Sequence, residues 1–299
     1  MVRTSPAPEF VSFHADRPAG AGTAHPHTTL QSLGYMRMLD MLFRSARLFH
    51  RGARCTLLTT RDTHVTGIRV PFRRLDQPVD HGRLMLSRSL AQLACVEAND
   101  FARPLVLLDS DILMNGSLQP LFAEDFDVAL TWRFNKTMPI NGGLIVLHNH
   151  RPDVARAFYR RFLQCYQERH AVGDNAGWYG DQLALQELVG LDWKQAAAQP
   201  RIERDGVRIR LLPCDTWNFS PDNQLAAIGN GLPDKLVLHF KGQRKRLMEP
   251  FWDAFLAPRT HWLPWRRRRA EREAVARLQR AIAAETNAPP PPSVAEVDA

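Results

Sequence analysis

The sequence has little cysteine: Cys55, Cys95, Cys165 and Cys214 lie far apart and form no C-x-x-C pair. That argues against a disulfide scaffold or a thiolate zinc site and leaves buried free thiols as the expectation. No run of about eighteen apolar residues exists, so no membrane-spanning helix is expected. Residues Met1 to Phe10 carry neither the positive cluster nor the apolar stretch of a secretory signal, and a soluble, cytoplasmic chain is the expectation. No internal repeat is detectable. Acidic residues are outnumbered, 31 Asp and Glu against 39 Lys and Arg, giving a net charge of +8. The excess is uneven, because Arg266, Arg267, Arg268 and Arg269 form one block. The charge therefore describes a region rather than a whole surface.

What is present is apolar content sufficient for a full core, 44% of 299 residues. Phe10 to His14 reads as a first strand that opens at Ala15-Asp16 into a Gly/Pro-rich loop reaching about Gly22. Apolar residues at near-helical intervals, Leu30 and Leu33 through Leu48, predict a helix from Thr29 to about His50, followed by a strand over Cys55 to Thr60. That is a β-α-β unit. Arg83 to Asn99 predicts a helix leading into Pro104 to Leu108, which is apolar on both faces like a central strand of a mostly parallel sheet. Further strands are expected over Phe126 to Thr131, Gly143 to Leu147 and Leu236 to Phe240, and helices over Asp153 to His170 and Asp181 to Leu188.

The chemistry concentrates at Leu108-Asp109-Ser110-Asp111-Ile112. Two carboxylates two residues apart on extended backbone point to one side. Their mutual repulsion is costly unless a cation neutralises it, and oxygen ligands suit a hard divalent ion such as Mn2+ or Mg2+. Such an ion can stabilise a departing diphosphate. A bare Asp-x-Asp is also a turn-and-cap pattern, and it opens the haloacid-dehalogenase-type phosphatases. Those carry it near the N-terminus with Thr or Val two residues after the second Asp, where this chain has Leu113. A second signal is His239-Phe240-Lys241-Gly242-Gln243-Arg244-Lys245. An imidazole at a strand end can complete an Asp/Asp/His metal set, Gly242 permits close backbone approach to phosphate, and Lys245 with Arg244 can neutralise a diphosphate.

Taken in order, Ala15-Asp16, Asp109-Ser110-Asp111, Ile140 to Gly143, Gly180-Asp181-Gln182, Pro213 to Asn218 and H-x-x-G-x-x-K resemble glycosyltransferase family 8 over about Phe10 to Lys245. The resemblance implies a GT-A fold: a Rossmann-like α/β nucleotide-diphospho-sugar transferase with a mixed, mostly parallel sheet flanked by helices. It implies transfer of a hexose from a UDP-sugar to an acceptor hydroxyl with retention, the acceptor a cell-surface glycan or glycolipid. By the same resemblance Asp109, Asp111 and His239 match the metal ligands, and Ala15 and Asp16 the contacts to the nucleotide base. Gly242 and Lys245 match the diphosphate contacts, with Ser110 inside the acidic motif. Asn141 and Gly142 match the segment lining the donor sugar, Asp181 and Gln182 the pair beside the reacting carbon, and Arg88 a basic residue that reaches the donor. Two positions depart from the family: Arg17-Pro18 stands where a Tyr usually follows the first Asp, and Arg246-Leu247 where Pro-Trp usually follows the Lys. The competing non-enzymatic reading is an accessory protein that binds sugar nucleotide without turnover.

Each companion also has a plain structural reading: a turn for Asn141 to Gly143, a helix cap for Asp181-Gln182, a solvated helix residue or ion-pair partner for Arg88. After a catalytic domain over 1–262, residues 263–286 are expected to form a basic amphipathic helix, and 287–299 a disordered Pro-rich tail. The helix follows Phe251, Trp252, Phe255, Trp262 and Trp265. It suits either docking on an anionic membrane surface, on the inner face for a cytoplasmic protein, or packing of its aromatics on the catalytic domain. No nucleic-acid-binding module accompanies the arginines, and no nucleic-acid partner is expected.

Overall fold

The computed structural model describes residues 6–16, 34–171 and 179–287. Arg17-Pro18 and the loop to Gly22, the first residues of the expected first helix, and the Pro289 to Pro292 tail lie outside the described residues.

An eight-stranded sheet has the order β3-β2-β1-β4-β7-β6-β9-β8, formed by β1 (Glu9–Phe13), β2 (Arg54–Thr59), β3 (Arg73–Asp76), β4 (Leu105–Leu108), β6 (Val128–Trp132), β7 (Ile140–Leu147), β8 (Arg201–Arg204) and β9 (Val207–Pro213). Four of its seven pairings are parallel and three, β4 with β7, β7 with β6 and β9 with β8, are antiparallel. A second, two-stranded antiparallel sheet joins β5 (Ile112–Met114) to β10 (Val237–His239).

The helices are α1 (Tyr35–Phe49), α2 (Leu84–Ala98), α3 (Pro152–Cys165), α4 (Gly180–Val189), α5 (Trp193–Ala198), the single turns α6 (Cys214–Trp217) and α7 (Met248–Phe251), and α8 (Pro264–Asn287). The helix expected to run to His170 is α-helical only to Cys165 and continues as a π turn over Tyr166–His170. The strand expected from Gly143 begins three residues earlier, at Ile140.

The pleat explains why β4 is apolar throughout. Leu105 and Leu107 join the core packed by α2, α3 and α4, while Val106 and Leu108 join the core packed by α1. A third cluster gathers Met38 and Met41 of α1 with Phe240, Phe251 and Trp252 and with Leu278 of α8. α8 is further tied down by Glu285, which accepts from the Leu225 backbone N–H at 2.7 Å and pairs with Arg246 at 2.9 Å. All four cysteines are free thiols. Among the described residues no helix is long and apolar enough to cross a membrane.

Two irregularities of pairing build the site. The register of β6 on β7 jumps from Leu130↔Ile145 to Thr131↔Asn141, so Gly142, Gly143 and Leu144 bulge out of that ladder toward the end of β4. Bulges of this kind re-aim side chains beside active sites. In the small sheet, the register His239↔Ile112 sets the imidazole next to Asp111, and the Phe240 N–H donates to the Asp111 carbonyl at 2.9 Å.

Candidate active site

A cleft of about 730 Å³ opens at the ends of β1, β4, β7 and β10. The residues that the resemblance matched to a metal, donor or reaction site all line it: Ala15, Asp16, Arg88, Asp109, Ser110, Asp111, Asn141, Gly142, Asp181, Gln182, His239, Gly242 and Lys245.

At its floor, one ligand atom from each of Asp109, Asp111 and His239 lies within 4.8 Å of the others. Nε2 of His239 is 3.1 Å from Asp111 Oδ1 and 3.5 Å from Asp109 Oδ2. An octahedral ion with bonds of about 2.1 Å separates adjacent ligand atoms by about 3 Å, so the trio fits a small divalent cation with little movement. The imidazole is aimed by a chain of amides that starts from an unambiguous donor. The Gly143 backbone N–H donates to Oδ1 of Asn141 at 2.9 Å, and the Asn218 amide donates to the same oxygen at 2.7 Å. Oδ1 of Asn218 must then face Nδ1 of His239, 2.9 Å away. Nδ1 of His239 therefore donates to Asn218, and Nε2 faces the carboxylates, the orientation of a metal-binding imidazole. Glycine at 143 is required here, because a Cβ would stand 2.5 Å from Cε1 of His239.

Lys245 closes one side, its Nζ 3.3 Å from Asp111 Oδ2. Burial opposes the charge on Asp111, but His239 and then Lys245 outweigh it and hold the carboxyl well below the usual range. Burial likewise opposes the charge on Lys245, and Asp111 foremost outweighs it and raises its pKa. Gly242, at the start of the turn that carries Lys245, has φ of 56°, a left-handed conformation that costs glycine nothing.

On the other side Arg88 is an ion-pair partner rather than a solvated helix residue. It is 9% exposed, and its guanidinium bridges Asp109 Oδ1 and Asp181 Oδ2. Burial raises the pKa of Asp181 against the pull of Arg88. Its Oδ1 is buried without a hydrogen-bond partner. Oε1 of Gln182 is held by Arg133 at 3.1 Å and faces Asn141 Nδ2 at 3.4 Å. Asp16 is engaged from within, by His14 Nε2 at 3.0 Å and by the His64 N–H at 2.9 Å.

Sequence reasoning missed several cleft residues. Tyr35 lines the cleft and stacks on His14 with ring centroids 4.6 Å apart; as the first residue of α1 it carries no motif of its own. Arg133 and Lys241 also face the cleft, and Asn218, read only as the end of a segment, proves to orient His239. A second group, Cys165, His170 and Glu187, also brings three potential ligand atoms together. Its Glu187 is already paired with Arg169 and His170.

No protein-family model matches the chain, and no curated protein matches it. Solved structures do. The glycosyltransferase GlyE of Streptococcus pneumoniae TIGR4 superposes with a TM-score of 0.50 at 16% identity, covering 91% of this chain and 64% of GlyE. The present chain thus spans less than two thirds of GlyE's length. Galactosyltransferase LgtC, solved in complex with donor and acceptor sugar analogs, matches at TM-score 0.47 and 15% identity over 94% of this chain and 98% of its own. A glycosyltransferase involved in glycosylation of the major capsid of PBCV-1 matches at 0.47 and 14% over 82% and 99%. At such identities the likeness is one of architecture, and the mixed, mostly parallel sheet flanked by helices is the GT-A glycosyltransferase fold.

Proposed function

We propose that this chain is a metal-dependent glycosyltransferase that moves a hexose from a nucleotide sugar, a UDP-sugar on the sequence resemblance, to a hydroxyl of a glycan or glycolipid. The observation that carries the reading is the convergence of Asp109, Asp111 and His239 with Lys245 on one wall of a single cleft and Asp181 and Gln182 on the other.

Mn2+ or Mg2+ held by Asp109, Asp111 and His239 would supply neutralisation of charge on a diphosphate leaving group. Lys245 adds a preorganised positive charge at the same end, and the backbone at Gly242 comes close to the phosphates without a side chain in the way. The Tyr35–His14 stack offers a flat surface to the base. The unpaired Oδ1 of Asp181 is an acceptor for a sugar hydroxyl. Oε1 of Gln182 is committed to Arg133, which argues against the amide oxygen as a nucleophile; with the retention that the sequence resemblance implies, a front-face course is the reading that remains. In that course the acceptor oxygen bonds to the anomeric carbon as the carbon's bond to the diphosphate oxygen breaks. The electron pair leaves with UDP, and the hydroxyl proton passes to a phosphate oxygen of the leaving group.

The test is UDP release from UDP-glucose or UDP-galactose with Mn2+, without and with glycan acceptors. Metal-dependent release that Asp109→Asn abolishes is expected; full activity in that variant would sink the metal role. Stabilisation by UDP with no release from either donor would favour the non-catalytic accessory reading.

A peripheral membrane role is part of the proposal. Phe251 and Trp252 are buried in the third core cluster, but Trp262 and Trp265 stand 85% and 59% exposed beside the exposed Arg266 to Arg269. This pairing suits an anionic bilayer surface. Truncation before α8 would strip Leu278 from the core, so the informative variant is Trp262→Ser with Trp265→Ser. Its binding to phosphatidylserine vesicles should fall, and unchanged binding would remove the membrane from the proposal.

A further inference from the structure

Beside the cleft lies a side pocket of about 340 Å³, walled by Trp132, Phe134, Cys214, Asn218 and Phe219. The residues it shares with the main cleft are Arg133, Lys241 and Arg244. The wall between the two spaces is thus made of cations. Among the described residues none of the three forms an ion pair. Arg133 donates to the Met138 carbonyl at 3.0 Å and to Gln182, and Nε of Arg244 is buried without an acceptor. The carboxylate on the pocket wall, Asp215, is taken by Lys235 Nζ at 2.9 Å. Three cations share this wall with no carboxylate in ion-pair contact among the described residues, and a bound anion would take up their charge.

Another part of the wall is aromatic. Trp132 and Phe134 meet edge to face at 5.0 Å, and Phe134 is 75% exposed, resting on Trp193 at 5.5 Å. A flat apolar surface beside a cationic wall matches a sugar ring bearing a negative substituent. The donor's diphosphate already has Lys245 on the metal side of the cleft, with Arg244 at the boundary between the two spaces, so the charges of Lys241 and Arg133 are surplus to it. Arg133 also links this wall to Gln182, beside the bond that would be made.

We propose that the side pocket binds the acceptor, and that the acceptor is an anionic sugar whose carboxylate or phosphate is held by Lys241, Arg133 and Arg244 with its ring against Trp132 and Phe134. The proposal rests on the glycosyltransferase reading and adds to it the charge class of the second substrate.

The test measures binding of D-glucuronic acid, glucose 6-phosphate, glucose and inorganic phosphate to the full chain saturated with UDP and Mn2+, by ligand-observed NMR. At least one anionic sugar should bind about ten-fold more tightly than glucose, the scale of one charge-assisted contact. The tighter of the two identifies carboxylate or phosphate as the group recognised. Lys241→Met should erase the margin and Lys241→Arg should keep most of it. Equal binding of glucose, a margin that survives Lys241→Met, or inorganic phosphate matching glucose 6-phosphate would each overturn the proposal. Failure of UDP with Mn2+ to bind the wild-type chain would instead bring down the donor reading, and this inference with it.

Discussion

Oδ1 of Asn218 accepts the Nδ1 proton of His239 over 2.9 Å, and a backbone amide two links away decides that it does so. Replacing Asn218 by Leu removes the acceptor that selects the Nδ1–H tautomer. Outer-shell partners of this kind are worth about 10–100-fold in metal affinity. Asn218→Leu is expected to weaken Mn2+ binding by that range in a calorimetric or EPR titration, with folding verified by circular dichroism. Wild-type Mn2+ affinity in a folded variant would show that the tautomer is set elsewhere.

Arg88 stands between Asp109 and Asp181 and is the main counter-charge of a carboxylate that is only 2% exposed. Breaking a buried pair by removing one partner costs about 3–5 kcal/mol. Arg88→Met should lower stability toward that range in urea unfolding, whereas Arg88→Lys, which keeps the charge but not the two-pronged donor, should lose less. A folded Arg88→Met protein of wild-type stability would mean that Asp181 has taken up a proton and no longer needs its partner.

His50 is a source of acid sensitivity outside the site. It is 4% exposed and accepts the Leu118 N–H at its Nε2 over 3.2 Å, and burial lowers its pKa from 6.5 to about 4. The unfolded chain binds the proton first, so stability contributed by the neutral ring is fully present above pH 6.5. It is lost as pH falls, with the loss complete below about pH 4. The difference amounts to about 3 kcal/mol. His50→Gln, which retains an acceptor but does not titrate, should flatten that part of the stability profile, and an unchanged slope between pH 6.5 and 4 would assign the acid sensitivity to other groups.

Much of the site was legible because its parts obey local rules. β4 is apolar on both faces because both are covered, and the two carboxylates follow it directly. The late His motif carries its own spacing. What was not legible depends on pairing across distance. His239 reaches Asp111 only because the three-residue strands β5 and β10 pair in one register, and strands that short carry almost no periodic signal. Asn141 reaches Asn218 only because β7 bulges away from β6. The strict alternation of Val207-Arg208-Ile209-Arg210-Leu211 was a strand signal in plain view, and β9 could have been anticipated from it. Arg133 and Lys241 read as ordinary flanking charges, since nothing in sequence says that no carboxylate will meet them.

The clasp of α8 by Glu285 has a thermodynamic consequence. Arg246, which Glu285 grips, follows Lys245 in the turn that begins at Gly242. If an anion in the cleft stiffens that turn, it also tightens the docking of α8, and by reciprocity anything that captures α8 changes the affinity of the turn for anions by the same factor. The two ends of that linkage can be read separately, as slowed amide hydrogen exchange over residues 274–287 when pyrophosphate and Mn2+ are added, or as a changed pyrophosphate affinity when vesicles are; no change in either would leave the helix and the cleft thermodynamically independent.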